Sequence, residues 1–265
     1  KMEYSGKQLP PMVEEKSAIN LNFSILQDFF DCAYRFKLSM FYGFVQPIAA
    51  AMGYGNAVHN IVRNIHKKYL DGENLTREDV QAIVEDTFYL PYANSKMEQN
   101  MLESAKKSVD MYFEKNKADF KNIEMAEADI ELDMGDGVKV NGRIDLVKHR
   151  EISGEEKITI VDFKTADRDV TQCLEAEQLK IYALGYQELT GKSADYLEIL
   201  NLDKVESERV RVTEGLTETV AKDIRNAAQN IRENKLDRKC SKEKCSACYL
   251  NYLCLSKEEK KTYVE

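Results

Sequence analysis

The chain has 265 residues and a formal net charge of −8, with 43% hydrophobic and 32% charged side chains. This length supports one large domain with its own core, and the composition excludes a chain that is disordered throughout. No run approaches about 18 apolar residues, and the chain does not begin with a signal pattern. We therefore expect a cytoplasmic protein with no membrane span.

The negative charge is unevenly distributed. Six acidic residues and no basic residue lie between Glu124 and Asp136, whereas six basic and three acidic residues lie between Arg232 and Lys244. A second basic cluster lies at residues 63–68. Because an acidic protein can hold a phosphate backbone in a locally basic groove, net charge does not exclude a nucleic-acid partner.

The N-terminal half is predicted to be helical after a lead-in segment at residues 1–22. Ser24-x-x-Gln27 is typical of a capping box at the start of the first helix. Apolar residues at helical spacing predict four helices, at 25–42, 56–70, 76–88 and 94–117. We interpret Gly53 and Gly55 as a link before the second helix, which places His59 in its first turn.

The middle of the chain predicts a meander of three antiparallel strands. Residues 126–134 alternate between apolar and acidic side chains, which indicates a half-buried strand with an acidic outer face. A turn at residues 135–137 leads to a strand at 138–148, and a loop containing Gly154 leads to another at 157–164. The rest of the pattern predicts a helix at 174–190, strands at 195–202 and 208–213, and a helix at 216–234.

Two carboxylates and an ammonium group are predicted to meet on the last two strands of the meander. Asp162 and Lys164 are two residues apart and share a face, and Asp145 lies on the polar face of the neighbouring strand. Close carboxylates repel each other unless a cation neutralises them, and oxygen ligands suit Mg²⁺ or Mn²⁺. The alternative is that these residues lie on a solvent-exposed polar face. Ile158 and Ile160 share the face of Asp162, and two aliphatic side chains there argue against this alternative.

Five of the six cysteines form a pattern. Cys245-x-x-Cys248 is followed by Cys254 and preceded by Cys240, while Cys32 lies far upstream. Disulfides are rare in cytosolic proteins, and thiolates select zinc or iron–sulfur clusters. Spacing alone leaves zinc, an iron–sulfur cluster and unligated thiols open. The sixth, Cys173, is isolated and is interpreted as a small core residue.

One familiar phosphate-binding motif is absent from the sequence. Gly191-Lys192-Ser193 resembles the end of an ATP-binding loop, but the first glycine of that motif would have to stand at position 186. Tyr186 occupies it and Gly185 is one residue out of register. We therefore expect no ATP-binding loop.

Together these motifs resemble the RecB-like branch of the PD-(D/E)xK nuclease superfamily, in the iron–sulfur form found in AddB and in CRISPR adaptation nucleases. The resemblance runs from about Ser24 to Cys254. It depends on four motifs in order: Gly55-x-x-x-His59, Gly142-Arg143-Ile144-Asp145, Val161-Asp162-Phe163-Lys164-Thr165 and Gln178-Leu179-x-x-Tyr182.

The resemblance implies an α/β fold: a central mixed sheet with an antiparallel meander, flanked by helices, as in restriction endonucleases. It implies a single nuclease domain at 23–254 and a C-terminal tail at 255–265. The two ends of the domain would be joined by a four-iron cluster on Cys32 and the segment 240–254. By this match Cys32, Cys245, Cys248 and Cys254 are the ligands and Cys240 is not. The chain departs from the family at Ala33, where many relatives have proline.

The resemblance also implies a metal-dependent DNA nuclease, an exonuclease of repair or recombination that acts on single strands or duplex ends. His59, Asp145, Asp162 and the carbonyl of Phe163 would bind Mg²⁺ or Mn²⁺. Lys164 would orient the attacking water or stabilise developing charge, and Gln178 and Tyr182 would position these groups. Relatives often work with a helicase, so we expect a helicase domain or subunit as a partner.

Three further hypotheses remain open from the sequence. Glu127 and Glu131 could add a metal carboxylate. The fold could be a nuclease that has lost its activity and kept its binding surface. The C-terminal cysteines (Cys240, Cys245, Cys248 and Cys254) could hold zinc in a nucleic-acid-binding module that uses the basic segment 232–244.

Overall fold

The structure, a computed structural model, describes residues 18–44, 50–91, 93–165 and 177–264. The chain divides into two compact units. Unit 1 comprises Lys1–Gln46, Glu131–Asn141 and Glu218–Glu265, and unit 2 comprises Pro47–Ile130 and Gly142–Thr217. None of the described helices is long and apolar enough to cross a membrane.

Helices account for most of the described chain. They are α1 (Phe23–Asp31), α2 (Ala33–Tyr42), α3 (Ala50–Leu70), α4 (Arg77–Thr87), α5 (Ser95–Asn116), α6 (Glu177–Thr190), α7 (Leu216–Arg232), α8 (Lys242–Ser246), α9 (Asn251–Cys254) and α10 (Lys257–Tyr263), with a 3₁₀ helix at Lys117–Asn122. Thr76 and Asp79 form the capping box of α4, so the predicted start of that helix is confirmed.

Six strands form one mixed sheet. They are β1 (Ile19–Asn22), β2 (Ile123–Asp133), β3 (Val138–Ile152), β4 (Glu155–Lys164), β5 (Tyr196–Asn201) and β6 (Glu206–Arg211). The order is β1-β3-β4-β5-β6, and β2 also pairs with β3. β3 pairs with β1 in parallel and with β4 antiparallel, while β5 pairs with β4 in parallel and with β6 antiparallel. The predicted α/β class with a mixed sheet flanked by helices is confirmed.

The predicted helix at 25–42 is wrong, because the chain forms two helices that meet at Cys32. Cys32 has extended backbone angles (φ −161°, ψ 105°), which end α1 and begin α2. The N-cap of α1 is Asn22, whose side chain accepts a hydrogen bond from the amide of Ile25 at 2.8 Å. The capping box predicted at Ser24 is therefore also wrong. Ala33 is the first residue of α2, a position where proline is favoured and alanine is tolerated.

The predicted glycine link before residue 56 is wrong as well, since α3 begins at Ala50 and passes through both glycines. These glycines permit close packing. A Cβ at Gly53 would lie 2.8 Å from Cδ2 of Leu90, and one at Gly55 would lie 2.7 Å from Oγ1 of Thr165. His59 consequently lies in the interior of a long helix and not in a first turn.

The core of unit 2 fixes the position of α3 against the sheet. Its buried side chains come from α3, α4, α5, the 3₁₀ helix and strands β3 to β5, and include Val58, Ile61, Val62, Ile65, Tyr112, Phe120, Leu146, Val161 and Phe163. Each fully buried aliphatic or aromatic side chain stabilises the fold by about 1.5–3 kcal/mol relative to exposure. Because α3 and β4 share this core, residues on the adjoining faces of both elements are held close together.

The hairpin of β3 and β4 is longer than predicted, since its turn is only Ser153-Gly154. Both turn residues have positive φ (57° and 81°), as a two-residue hairpin turn requires. The predicted helix at 174–190 is observed from Glu177 onward. Residues 174–176, Cys173 and most of the lead-in segment lie outside the described residues.

Candidate active site

Two aspartates face each other at the end of the β3–β4 ladder. The last paired residues are Leu146 and Val161, so Asp145 and Asp162 are opposite each other one step farther along. At this position the strands are linked through a side chain: the amide of Phe163 donates a hydrogen bond to Oδ2 of Asp145 at 2.8 Å. Residues opposite each other in an antiparallel pair project from the same face. The structure thus brings the two predicted carboxylates together.

Both carboxylates are removed from solvent. The Asp145 side chain is 13% exposed and that of Asp162 is 3% exposed. Burial and the neighbouring charge of Asp162 raise the pKa of Asp145 well above its usual value, although the Phe163 amide opposes this. Oδ2 of Asp162 is buried and makes no hydrogen bond, although the Lys164 ammonium lies 2.7 Å from it. A cation would relieve the repulsion and satisfy this oxygen, so the donor set suits a hard divalent ion.

Lys164, Gln178 and Tyr182 form a chain of contacts that begins at Asp162. Nζ of Lys164 lies 2.7 Å from Oδ2 of Asp162, an ion pair whose angles fall outside hydrogen-bond geometry. The same ammonium donates to Oε1 of Gln178 at 3.4 Å, and Nε2 of Gln178 donates to the Tyr182 hydroxyl at 2.6 Å. Burial, followed by the charges of Asp162 and Asp145, raises the pKa of Tyr182.

His59 reaches the same place from α3. Its Nδ1 lies 3.8 Å from Oδ2 of Asp145, and its ring stands edge-on to that of Phe163 with centroids 6.2 Å apart. Burial lowers the pKa of His59, although Asp162 and a hydrogen bond with the Phe163 backbone oppose this shift. A neutral imidazole is the form that binds a metal ion.

Of the two glutamates proposed as additional metal carboxylates, one lies next to this group. Glu127 is 18% exposed, and its Oε2 lies 3.5 Å from an Arg143 nitrogen and 4.0 Å from one of Arg63. Burial raises its pKa, and both arginines oppose the shift. Glu131 is 63% exposed and pairs with Lys139 at 2.7 Å. Sequence reasoning missed the position of Arg63, although its spacing of four residues from His59 places both on one helix face.

Five thiols line one cavity in unit 1, of about 230 Å³. They belong to Cys32, Cys240, Cys245, Cys248 and Cys254. Burial and the neighbouring thiols raise the pKa of Cys254 to about 11. Crowded thiols favour a bound cation that stabilises their thiolates. Cys240 contacts Cys245, so its predicted exclusion from the ligand set stays a prediction.

The basic segment 232–244 is largely engaged within unit 1. Four of its basic side chains donate hydrogen bonds of 2.6–3.2 Å to backbone carbonyls. The pairs are Arg232 with Asp136, Arg238 with Cys254, Lys239 with Phe30 and Lys244 with Asp31. These contacts engage some of the segment's N–H donors, but a neutral carbonyl leaves each positive charge in place, so the zinc-stabilised binding module stays a hypothesis.

Across the described ranges, no group of three or more His, Cys, Asp and Glu side chains is arranged to hold a metal ion. The two carboxylates of unit 2 and the thiols of unit 1 nonetheless have the donor chemistry that divalent cations and iron–sulfur clusters require.

A mixed sheet flanked by helices, with Asp145, Asp162 and Lys164 on its β3–β4 hairpin, defines an α/β protein with a candidate cation site. The sequence model of the PD-(D/E)XK nuclease superfamily matches residues 20–255, so the chain belongs to this superfamily. No curated protein matches the chain. Among solved structures, the crystal structure of SSO0001 is similar at 19% identity and a TM-score of 0.35, over 84% of this chain and 93% of that one. At these values the similarity says nothing about activity.

Proposed function

We propose that this chain is a Mg²⁺- or Mn²⁺-dependent deoxyribonuclease that hydrolyses phosphodiester bonds. The observation that supports this most is the pair of buried carboxylates, Asp145 and Asp162, with the ammonium of Lys164 beside them. Two carboxylates held this close have a larger joint negative charge than the single Lys164 ammonium balances, and a divalent cation would balance it.

The residues that would hold the ion are Asp145, Asp162, His59 and the carbonyl of Phe163. A bound divalent cation would polarise the scissile phosphate and provide hydroxide from water near neutral pH. The carboxylates are positioned before binding, because Asp145 accepts from the Phe163 amide and Asp162 lies in the sheet. Such preorganisation avoids reorganising the site during the reaction.

The remaining residues act on the attacking water and on developing charge. Lys164 would orient the water or stabilise negative charge on the phosphate in the transition state. Gln178 holds the ammonium of Lys164 through its carbonyl and is itself held by Tyr182. We therefore assign Lys164 a catalytic role and the other two residues positioning roles.

We further propose that the chain is an exonuclease of DNA repair or recombination that works with a helicase domain or subunit. The motifs shared with RecB-like nucleases support this proposal. An assay with DNA labelled at one end distinguishes exonuclease from endonuclease cleavage. Mononucleotides released from a terminus support an exonuclease, and internal cuts in a circular single strand contradict it.

We also propose a four-iron cluster on Cys32, Cys245, Cys248 and Cys254. What supports it is the convergence of these thiols on one cavity from opposite ends of the sequence. Such a cluster would link the two ends of the chain and constrain the unfolded state. Anaerobically purified protein should be brown, with absorbance near about 400 nm. We expect Cys248→Ser to lose the iron and Cys240→Ser and Cys173→Ser to keep it; a colourless zinc protein would contradict the assignment.

The test of the nuclease proposal is a digestion of labelled single- and double-stranded DNA with Mn²⁺. Wild-type protein should cleave at least one substrate, and Asp162→Ala should not. Asp86→Asn is a matched control, because Asp86 is an exposed carboxylate on α4 and lies outside the carboxylate pair. Absence of wild-type cleavage, or cleavage that survives Asp162→Ala, overturns the proposal.

A further inference from the structure

Two arginines neighbour the carboxylate pair. One lies on α3, which also carries His59, and the other lies on β3, which also carries Asp145. Arg63 follows His59 by one helical turn on α3, and Arg143 precedes Asp145 by two residues on β3. Both spacings keep the side chains on one face of their elements. The two guanidinium groups converge on the carboxylate of Glu127.

Glu127 reaches them through an unusual backbone conformation. Its φ is 53°, in the left-handed region, at a point of β2 where consecutive residues are all half-buried. This conformation costs on the order of 1–3 kcal/mol in a residue other than glycine. Its carboxylate stays on the same face of the sheet as that of Asp129, because both contact Arg143. Glu127 is 18% exposed and Asp129 is 79% exposed, and Arg63 of α3 lies near Glu127.

The arginines themselves remain open to solvent. Arg63 is 36% exposed and Arg143 is 45% exposed. Arg143 also donates to Asp129 at 2.8 Å, but an exposed pair of this kind contributes little and is screened by salt. The contacts to Glu127 are long, at 3.5 and 4.0 Å, and satisfy few of the ten guanidinium N–H donors that two arginines carry.

We propose that Arg63 and Arg143 form a binding subsite for a DNA backbone phosphate next to the scissile one, and that Glu127 occupies this subsite while no nucleic acid is bound. The proposal rests on the proposed nuclease function. A phosphodiester offers the anionic oxygens that guanidinium groups bind in a bidentate manner. On binding, the phosphate would replace the Glu127 carboxylate, and the arginines would orient the strand across Asp145 and Asp162.

The test measures DNA binding without any metal, so that it does not depend on cleavage. The probe is a fluorescein-labelled single-stranded oligonucleotide titrated by anisotropy in EDTA at several salt concentrations. We expect Arg63→Gln and Arg143→Gln each to weaken binding by about tenfold, the value of one charge-assisted hydrogen bond. Each should also reduce the slope of log Kd against log salt by about 0.7, one phosphate contact on a single strand.

Glu127→Gln distinguishes this subsite from a third metal carboxylate. We expect it to tighten metal-free binding several-fold, and to lose that effect in the background of both arginine substitutions. Asp86→Asn should leave binding unchanged, since Asp86 is an exposed carboxylate on α4 and has no part in the subsite. Circular dichroism of every variant checks that the fold is kept.

Three outcomes would overturn the subsite: no binding by the wild type at low salt, unchanged affinity and slope in both arginine variants, or unchanged metal-free binding by Glu127→Gln with loss of Mn²⁺ affinity. Failure of the nuclease proposal has a different signature. In that case cleavage is absent, while the metal-free binding pattern of the arginine variants is kept.

Discussion

Asp145 accepts a hydrogen bond from the backbone amide of Phe163, at the step where the ladder of β3 and β4 would otherwise continue. This contact holds the Asp145 carboxylate beside Asp162 before any cation arrives. It also favours the ionised form, since an amide donates to the charged carboxylate. Burial and the second aspartate outweigh it, and the pKa of Asp145 remains raised.

The carboxylate pair should therefore destabilise the metal-free protein. We expect Asp145→Asn to raise the melting temperature in EDTA at neutral pH, because the amide removes the repulsion and can still accept from Phe163. Each kcal/mol corresponds to roughly 2–4 °C for a chain of this size. Mn²⁺ should raise the melting temperature of the wild type and leave that of the variant nearly unchanged. Differential scanning calorimetry with EDTA or MnCl₂ measures both effects.

Asp129→Asn is the matched control for this comparison, since it removes an exposed carboxylate of the same type. It should leave both the EDTA value and the Mn²⁺ response close to wild type. The prediction is contradicted if Mn²⁺ leaves the wild-type melting temperature unchanged and Asp145→Asn melts at a lower temperature than the wild type in EDTA.

Removing the positioning chain should slow the reaction without removing the metal. Gln178→Ala leaves the Lys164 ammonium without its carbonyl partner, and we expect cleavage to fall by about 10–100-fold. Tyr182→Phe removes a hydroxyl that hydrogen-bonds to both Gln178 and Asp162, and we expect it to slow cleavage by a similar factor. Single-turnover rates and Mn²⁺ affinity by electron paramagnetic resonance provide the two readouts.

Gln178→Glu serves as the informative companion variant. It keeps the contact to Lys164 and adds a charge, so Mn²⁺ affinity should hold and the pH profile of cleavage should move. If Gln178→Ala cleaves at the wild-type rate, the side chain has no positioning role.

The buried histidine of the core should make stability depend on pH. His66 is fully buried, and its Nε2 lies 2.7 Å from the Tyr112 hydroxyl. Burial, with a smaller effect of Lys148, lowers the pKa of His66 from 6.5 to about 3. The unfolded chain therefore binds this proton first as the pH falls. The contribution is fully present above about pH 6.5 and is lost at up to about 1.4 kcal/mol per pH unit between about 6.5 and 3.

Urea denaturation at pH 7, 6 and 5 measures this loss. His66→Gln keeps a partner for Tyr112 but does not titrate, so its stability should fall less steeply over the same range. Equal slopes for the variant and the wild type would show that His66 does not govern the dependence.

A glycine in α6 should be intolerant of a side chain. A Cβ at Gly185 would lie 2.8 Å from Cγ2 and 3.2 Å from Cγ1 of Ile130 on β2. We expect Gly185→Ala to destabilise the protein by about 1–3 kcal/mol, as overpacking of a core does. The cost should shrink in an Ile130→Ala background, and a double-mutant cycle of urea unfolding free energies measures the coupling. Additive costs would contradict a direct clash.

The arrangement of the two aspartates could be predicted from the sequence because it depends on parity and pairing alone. Asp162 and Lys164 share a face by their spacing, and the hairpin around Gly154 brings Asp145 opposite Asp162. The spacing and the hairpin pattern therefore predict that these three side chains lie together.

The helical conformation of the α3 glycines is not evident from the sequence, for a physical reason. Local propensity treats Gly53 and Gly55 as helix breakers, whereas their actual role is to admit Leu90 and Thr165 at close range. That role depends on partners distant in the sequence. The break between α1 and α2 is also not evident from the sequence, because the extended residue that separates them is Cys32 and not proline or glycine.

Glu127 shows the limit of alternation as a guide to exposure. The strand pattern predicts an outward side chain, and Glu127 lies on the same face as Asp129, since both contact Arg143. Glu127 is nevertheless only 18% exposed, and α3 places Arg63 near it. The proximity of a helix distant in the sequence is not encoded in the strand pattern.

The Ser153-Gly154 turn has a consequence far from its own position. A two-residue connection allows a single alignment of its strands, and a slip by one residue would send every β4 side chain to the opposite side of the sheet. Asp162 and Lys164 would then no longer face Asp145, although the strands could still bond. The relative positions of the two aspartates thus depend on a turn some nine residues away. A single-residue insertion there that shifted the register would separate the two carboxylates without changing either residue.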